Sequence, residues 1–228
     1  MQIKCDFILI ILNCYKYREK AIRQKNTWLK DLPSNIKYYH IIGDKDKCGE
    51  NDILIDENER VIYTNTLDDY NSLPAKVITA LKGIRSAFDF KYIFKTDDDQ
   101  TLIQPSFFTD FPNYLTDNPN HHYGGFIVRV ADHISQYYRV HDCLPRDLLL
   151  KKCIYCNGRF YMLSKPAIEN LLTKQSEICE HIIEDHAIGL YLDDAYKENM
   201  LYFDSRTIFN DNWNNFPMIM ESYLRIVG

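Results

Sequence analysis

The amino-acid sequence predicts an α/β fold in which helices flank a mixed, mostly parallel sheet. Apolar runs of strand length alternate with segments of helical periodicity, beginning with a strand–helix–strand succession near the amino terminus. The chain has 228 residues, of which 46% are hydrophobic and 26% charged, with only 8 glycines and 8 prolines. This composition is typical of a compact globular protein, and no repeat or low-complexity segment interrupts it. We therefore expect residues 1–228 to form a single domain.

The first predicted unit is a strand–helix–strand motif. The run FILIIL at 7–12 is typical of a buried strand, because it is too short to span a bilayer and no small-residue cleavage site follows it. The segment REKAIRQKNTWLKDL, 18–32, carries apolar residues, including Ile22, at helical spacing. The run IKYYHIIG, 36–43, is the next predicted strand.

The second unit is a helix followed at once by a strand. Pro74 stands near the start of the helix, and its apolar positions Val77, Leu81, Ile84 and Phe88 recur at i, i+4, i+7 and i+11. We expect this helix to pack on a sheet. The strand KYIFK follows directly, so the acidic triplet that comes after it stands at the carboxyl end of a strand, the edge where α/β sheets bind ligands.

Two further elements follow in the second half of the chain. The run YCNGRFYMLS predicts a strand, after which Ser164 and Pro166 mark the start of a helix. The segment IIEDHAIGLYL predicts a last helix with a buried stripe of Ile183, Ala187 and Leu190. From Met200 onward the chain is aromatic, and we expect it to be irregular.

Three adjacent carboxylates, Asp97, Asp98 and Asp99, need a physical explanation. Like charges repel and raise one another's pKa unless water or a cation compensates them, so the triplet is either a solvated loop or a cation site. Carboxylate oxygens suit Mg²⁺ or Mn²⁺, with substrate phosphates as the other ligands. Neither glycine-rich phosphate fingerprint, GxGxxG or GxxxxGK[ST], occurs in the chain.

Composition also argues against several classes of function. A formal net charge of −5 without a basic cluster disfavours nucleic acid as a partner. Seven cysteines are an odd set and favour reduced thiols in a cytosol-like compartment, and the CxxC of Cys153 and Cys156 lacks the second ligand pair of a zinc site. A calcium loop starting at Asp44 fails at its twelfth position, Ile55, where a bidentate Glu is needed.

Five segments in register carry a resemblance to a known family: REKAIRQKNTW, NDILI with DDYNSLPAKV, YIFKTDDD, YCNGRFYMLS and IIEDHAIG. They resemble motifs of the β-1,3-glycosyltransferase family, which includes galactosyl- and N-acetylglucosaminyltransferases and the fringe proteins. The resemblance implies a GT-A type, Rossmann-like nucleotide-sugar-binding fold. It also implies a nucleotide-sugar donor, usually linked to UDP, a divalent cation, usually Mn²⁺ with Mg²⁺ as the alternative, and inversion at the anomeric carbon of the sugar. The acceptor would be a glycan or glycoconjugate.

The resemblance also assigns expected roles to individual residues. Asp99 would ligate the metal, and Asp97 and Asp98 would face the ribose and the donor sugar. Arg18 and Lys76 fall on basic positions near the nucleotide, with a solvated helix surface as the alternative for both. Gly158 would let the backbone approach the donor, with a simple turn as the alternative.

The sequence departs from this family in three places. No histidine follows His186, although members usually bring a metal-ligating histidine late in the chain, so Asp211 or Asp204 is the expected substitute. His186 itself stands where the family prefers Val. The membrane anchor usual in Golgi members does not occur in this sequence, and we therefore expect either a soluble, cytoplasmic enzyme or a shortened piece of an anchored one.

Asp185 is the expected general base. Neighbouring helix positions diverge by about 100°, so Glu184 and Asp185 are expected to face different ways, and Asp185 shares its stripe with Gly189, where a substrate would have most room. The family's E-D-V-x-x-G motif likewise gives the base role to the second acid. The bland alternative is an acid that interacts with the helix dipole, which suits Glu184 as well. Two other functions stay open, a metal-dependent nucleotidyl- or phosphotransferase and a non-catalytic nucleotide-sugar- or glycan-binding relative.

Overall fold

An eight-stranded mixed sheet forms the centre of the molecule within residues 2–211, the part of the chain that this computed structural model describes. The strands of the described residues are, in chain order, β1 (Ile3–Lys4), β2 (Phe7–Leu12), β3 (Ile36–Gly43), β4 (Ile53–Asp56), β5 (Val61–Thr64), β6 (Phe88–Asp89), β7 (Tyr92–Asp97), β8 (Gln100–Leu102), β9 (Tyr123–Val130), β10 (His133–Ile134), β11 (Leu149–Leu150), β12 (Cys153–Ser164), β13 (Leu201–Tyr202) and β14 (Phe209–Asp211).

The order of the strands in the large sheet is β13-β9-β12-β7-β2-β3-β5-β4. The four strands β7, β2, β3 and β5 are parallel to one another, and β13 is parallel to β9. Strand β12 runs antiparallel to both of its neighbours, and β4 runs antiparallel to β5. The predicted α/β class with a mixed, mostly parallel sheet is therefore confirmed. The shorter strands pair as β1-β6, β10-β11 and β8-β14.

Helices cover the sheet and join its strands. The α-helices of the described residues are α1 (Arg18–Asn26), α2 (Lys45–Cys48), α3 (Leu73–Ala87), α4 (Phe107–Asp117), α5 (Lys165–Leu172), α6 (Gln175–Cys179) and α7 (Glu184–Tyr191). Short 3₁₀ turns lie at Tyr15–Tyr17, Leu29–Asp31, Tyr137–Arg139, Asp194–Tyr196 and Ser205–Thr207. Within residues 2–211, every helix is too short or too polar to cross a membrane.

Strand β2 shows why the sheet has a hydrophobic layer on each side. Its six residues are all buried, and successive side chains point to opposite faces. Ile8 and Ile10 join the core beneath α3, α5 and α7, whereas Phe7, Leu9 and Ile11 join an aromatic core with residues of α4. The uninterrupted apolar run is thus explained by burial on both faces.

Several predicted element boundaries are confirmed, and three expectations are wrong. Strands 7–12 and 36–43 form as predicted, and the Ser164 hydroxyl caps α5 by accepting from the Ala167 amide at 3.3 Å. The first helix stops at Asn26 rather than continuing to 32, and Ile22 on it is 55% exposed instead of packed. The chain after Met200 is not wholly irregular, because β13 and β14 add to sheets and Phe209 is buried. Strands this short give no periodic signal.

Candidate active site

The acidic triplet forms a tight connection between two strands. Asp97 ends β7, Asp98 and Asp99 make the turn, and Gln100 begins β8. The side-chain amide of Gln24 in α1 donates to the carbonyls of Asp97, at 3.1 Å, and Gln100, at 2.9 Å. The imidazole of His40 contacts the Gln24 Oε1 at 3.1 Å. Because buried hydrogen bonds hold both ends of the turn, its position at the carboxyl edge of the sheet is well defined.

Each carboxylate of the triplet has a different partner. Asp97 Oδ1 lies 2.8 Å from the Lys95 ammonium, Asp98 Oδ2 accepts from Asn13 Nδ2 at 2.7 Å, and Asp99 Oδ1 accepts from Gln100 Nε2 at 2.8 Å. These separate partners explain how three like charges are accommodated.

The pKa of Asp97 differs from that of an exposed surface carboxylate. Burial raises the pKa of the Asp97 carboxyl to about 7; Lys95 opposes this shift, and the carboxylates of Asp99 and Glu184 add to it. Its side chain is nevertheless 37% exposed, so it is partly open to solvent at the carboxyl edge of the sheet.

Asp98, in contrast, faces the protein. It is 8% exposed, and its second oxygen, Oδ1, pairs with the Lys20 ammonium of α1 at 3.2 Å. Burial raises the pKa of Asp98, while Asn13 and Lys20 oppose the rise. Both of its oxygens are engaged by the protein, so its contacts fit a residue that fastens the turn to α1 better than one that touches the ribose or the sugar.

Lys76 is buried, so the alternative of a solvated helix surface is wrong for this residue. It is 1% exposed, and its ammonium donates to Asp68 Oδ1 at 2.6 Å and to the Asn13 carbonyl at 3.1 Å. Asp68 also accepts from the backbone amides of Gly43, at 3.0 Å, and Tyr15, at 2.8 Å. The Lys76–Asp68 pair therefore joins α3 to the carboxyl ends of β2 and β3.

Arg18 occupies a less central position. Its guanidinium is half-buried, and one nitrogen lies 3.7 Å from the Glu59 carboxylate, in the turn that precedes β5. That turn is at the amino end of β5, away from the carboxyl edge. Within residues 2–211, Arg18 pairs with Glu59 and forms no ion pair with the acidic triplet.

Asp185 lies in the first turn of α7 and is held by two backbone amides. Its Oδ2 accepts from the Gly158 amide and its Oδ1 from the His186 amide, each at 2.8 Å. Burial raises the pKa of the Asp185 carboxyl to about 6; Glu184 adds to this rise, and Lys95 opposes it. A carboxylate with this pKa can accept a proton near neutral pH.

Gly158 explains how the carboxylate can come so close to a strand. It lies where the register of β12 with β9 shifts, between Cys156 and Tyr161. A Cβ at this position would stand 3.3 Å from both Asp185 Oδ2 and Lys95 Nζ, so any side chain would crowd them. Gly158 therefore serves the approach of Asp185 and Lys95, and the structure shows this role in place of the simple turn.

Lys95 and Glu184 are site residues that the sequence analysis missed. Lys95 is 2% exposed, and its ammonium lies 2.8 Å from Asp97 Oδ1, 3.2 Å from Glu184 Oε2 and 2.6 Å from the Gly158 carbonyl. Glu184 is buried as well and accepts from the Tyr161 hydroxyl. The available signal was the i, i+2 spacing of Lys95 and Asp97, which places both on one face of β7.

Gly189 does not provide room for a substrate, contrary to expectation. A Cβ on this residue would stand 2.2 Å from Tyr155 Cβ and 2.7 Å from the Ile154 carbonyl oxygen. Helix α7 packs directly on β12 at this point, so the glycine permits a helix–strand contact. The position of Asp185 rests instead on Gly158.

Of the two expected substitutes for a late histidine, Asp211 lies beside the triplet. It pairs with Gln100 across the β14-β8 ladder, which places it next to Asp99, and its Oδ2 accepts from the Arg159 guanidinium at 2.5 Å. Asp204 caps the turn Ser205–Thr207 and is engaged by Arg206. Both aspartates pair with an arginine, so it is the position of Asp211 opposite Gln100 that favours it over Asp204.

The donor set at this edge consists of carboxylate oxygens. In the described part of the chain, no three His, Cys, Asp or Glu residues are grouped so as to hold a metal ion by themselves. Asp211 stands opposite Gln100, the residue after Asp99, and carboxylate oxygens from two such residues are the ligand type that suits a hard divalent cation whose other ligands are phosphate oxygens and water. The residues present thus suit a cation that arrives with a diphosphate.

Comparison with known proteins decides the family. The galactosyltransferase family model matches residues 17–198, a stretch that includes the triplet, Gly158 and Asp185. The chain belongs to the galactosyltransferase family. Human UDP-GalNAc:beta-1,3-N-acetylgalactosaminyltransferase 2 is 22% identical over 148 residues, which are 63% of this chain and 29% of that protein. The chain therefore spans less than a third of the length of this relative.

A solved structure supports the fold of this galactosyltransferase-family chain. A glycosyltransferase involved in the glycosylation of the major capsid of PBCV-1 superposes with a TM-score of 0.54 at 10% identity, covering 97% of this chain and 99% of that chain. This superposition confirms the expected GT-A type fold.

Proposed function

We propose that this galactosyltransferase-family chain is a metal-dependent, inverting glycosyltransferase that moves a sugar from a UDP-sugar to a hydroxyl of a glycan or glycoconjugate acceptor. One observation carries the proposal. Asp97 of the acidic triplet and the Gly158 backbone that holds Asp185 both contact the Lys95 ammonium at the carboxyl edge of the sheet. A candidate donor site and a candidate base thus lie side by side at one edge of the sheet. The family match and the UDP-GalNAc-dependent human relative support the choice of donor.

Asp185 would act as the general base. Each of its oxygens accepts one backbone hydrogen bond, so each keeps acceptor capacity for a substrate proton. With a pKa raised to about 6, the carboxyl is mostly ionised at pH 7. It would take the proton of the acceptor hydroxyl while the hydroxyl oxygen bonds to C1 of the donor sugar. The bond from C1 to the diphosphate oxygen breaks on the opposite face, which inverts the anomeric carbon.

The donor would lie along the acidic turn. Asp99 and Asp211 would hold Mn²⁺, or Mg²⁺ in its place, and the cation would supply positive charge that offsets the diphosphate. Asp97, the most open carboxylate of the triplet, would face the donor. Lys76 would act through Asn13 and Asp68, because its ammonium is buried against them.

Product analysis tests this function. The chain is incubated with a panel of nucleotide sugars, Mn²⁺ and glycan acceptors, and acceptor masses are followed by mass spectrometry. We expect one hexose or N-acetylhexosamine to be added, with loss of transfer in Asp185→Asn and no loss in Asp194→Asn, a matched change on an aspartate that is 99% exposed. Addition of phosphate or nucleotide mass would instead favour the phosphotransferase class. Metal-dependent UDP-sugar binding without any transfer would favour a non-catalytic relative.

A further inference from the structure

We infer that Lys95 is a positioning residue for the proposed transfer reaction, one that links the candidate donor site to the base Asp185. This inference deepens the proposed function and rests on it. It is drawn from three contacts that one buried ammonium makes. Those contacts reach two different strands and one helix, and each carries a residue of the site.

The Lys95 ammonium donates a hydrogen bond to the Gly158 carbonyl on β12. It also forms ion pairs with Asp97 on the same strand and with Glu184 on α7. Lys95 lies opposite Tyr161 in the β7-β12 ladder and opposite Ile10 in the β7-β2 ladder, so its backbone is fixed in the middle of the sheet. A buried ammonium held by one hydrogen bond and two ion pairs has little freedom to reorient.

The Gly158 peptide unit carries the link to the base. Lys95 holds Gly158 through its carbonyl, while the amide of the same residue donates to Asp185. A Cβ on Gly158 would stand 3.3 Å from both the ammonium and the carboxylate, so these two groups are separated by at most about twice that distance. An opposite charge at about 4–6 Å favours the ionised form of a carboxyl and lowers its pKa by about 1–3 units.

The surroundings of Asp185 include titratable groups besides Lys95 and Glu184. Asp97 pairs with the same ammonium at 2.8 Å and has a pKa raised by burial to about 7, and burial lowers the pKa of the adjoining His186 imidazole. Six further titratable groups face Asp185: the phenols of Tyr70, Tyr123, Tyr155 and Tyr161 and the thiols of Cys153 and Cys156. Burial raises the pKa of each of these six groups, so they stay neutral up to about pH 9. Glu184 opposes the ionisation of Asp185 and Lys95 favours it, and Asp97 shares the Lys95 ammonium.

The test follows the titration of Asp185 through the Gly158 amide in ¹⁵N-labelled full-length chain without substrate. The main comparison is Glu184→Gln against the double variant Lys95→Met with Glu184→Gln. In the Glu184→Gln background, the Asp185 carboxyl titrates without a neighbouring Glu184 carboxylate. The loss of Lys95 in this background also leaves no Glu184 charge buried without a partner. Adding Lys95→Met should raise the midpoint of the Gly158 titration by about one unit or more.

A matched control uses another lysine that binds a glycine of the same region. Lys197 donates to the Gly189 carbonyl in α7 at 3.1 Å, and Lys197→Met in the Glu184→Gln background should move the midpoint by less than about 0.3 units. A Lys95→Met shift as small as this control would overturn the inference. If the single variant Lys95→Met does not fold, the Gly158 midpoints of Glu184→Gln and of the double variant still decide whether Lys95 acts on Asp185.

The pH dependence of activity is a second, separate test of the role of Lys95. In the single variant Lys95→Met, the acidic limb of the pH profile of kcat/KM should move to higher pH together with the Gly158 midpoint. If Lys95 had a purely structural role, Lys95→Met would lower kcat and leave the acidic limb of the pH profile at the same pH. A shifted midpoint in a chain that transfers no sugar from any nucleotide donor would reject the proposed function and keep the Lys95–Asp185 link. Sugar transfer with an unshifted midpoint would reject the role of Lys95.

Discussion

Lys76→Met should destabilise the protein far more than Lys82→Met, although both lysines lie on α3 and both form short ion pairs. The Lys76 ammonium is 2.6 Å from Asp68, and the Lys82 ammonium is 2.8 Å from Asp52. The two pairs differ in burial. The side chains of Lys76 and Asp68 are 1% and 18% exposed, whereas those of Lys82 and Asp52 are 44% and 47% exposed.

The expected magnitudes follow from this difference. Breaking a buried pair costs about 3–5 kcal/mol when the remaining charge stays unpaired, and Lys76 also donates to the Asn13 carbonyl. Asp68 is partly open and keeps two backbone donors, so we expect a loss of about 2–4 kcal/mol for Lys76→Met. The exposed Lys82 pair contributes about 0–1 kcal/mol.

Urea denaturation followed by circular dichroism measures both free energies of unfolding. Calorimetry with UDP and Mn²⁺ on the folded variants shows whether Lys76→Met also weakens binding, as expected if the lysine positions Asn13 and Asp68. Losses that agree within about 0.5 kcal/mol between the two variants would refute the reasoning, since the Lys76 pair is buried and Lys76 also donates to the Asn13 carbonyl.

Three further outcomes are expected. Because Asp185 must be ionised to accept a proton and its pKa is about 6, kcat/KM should fall to about a tenth of its plateau at pH 5. Asp185→Asn should lower turnover by about 10²–10⁴-fold while donor binding survives. An unchanged rate at pH 5 would exclude Asp185 as the base. Asp99→Ala should abolish Mn²⁺-dependent UDP binding in calorimetry, whereas Asp110→Ala, on the exposed side of α4, should not. Equal affinities of the two variants for UDP with Mn²⁺ would reject Asp99 as a metal ligand. Gly189→Ala should lower the thermal midpoint, because its Cβ would stand 2.2 Å from Tyr155 Cβ; an unchanged midpoint would contradict the packing described for α7.

The part of the site that depends on local order in the chain was predictable. The apolar run before Asp97 predicts a strand, and the triplet must then lie at its carboxyl end. Ser164 and Pro166 likewise mark a helix start from neighbouring residues alone. These features need no knowledge of which distant segments meet.

The part that depends on long-range contacts was not predictable from pattern. Lys95 lies within an apolar run, and its role appears only when β12 and α7 bring Gly158 and Glu184 to the same ammonium. The resemblance named Gly158 and Asp185 separately, yet nothing local to either residue indicates that the amide of one binds the carboxylate of the other. Gly189 was assigned to the substrate for the same reason, since its contact with Tyr155 is made across elements.

The anomeric configuration of the product tests the central claim most directly. The wild-type chain is given an α-linked UDP-sugar with Mn²⁺ and an acceptor, and the new glycosidic linkage is determined by ¹H NMR. A base at Asp185 that activates the acceptor hydroxyl for direct displacement predicts a β-linked product. An α-linked product, or release of free sugar with no linkage to the acceptor, would contradict the account.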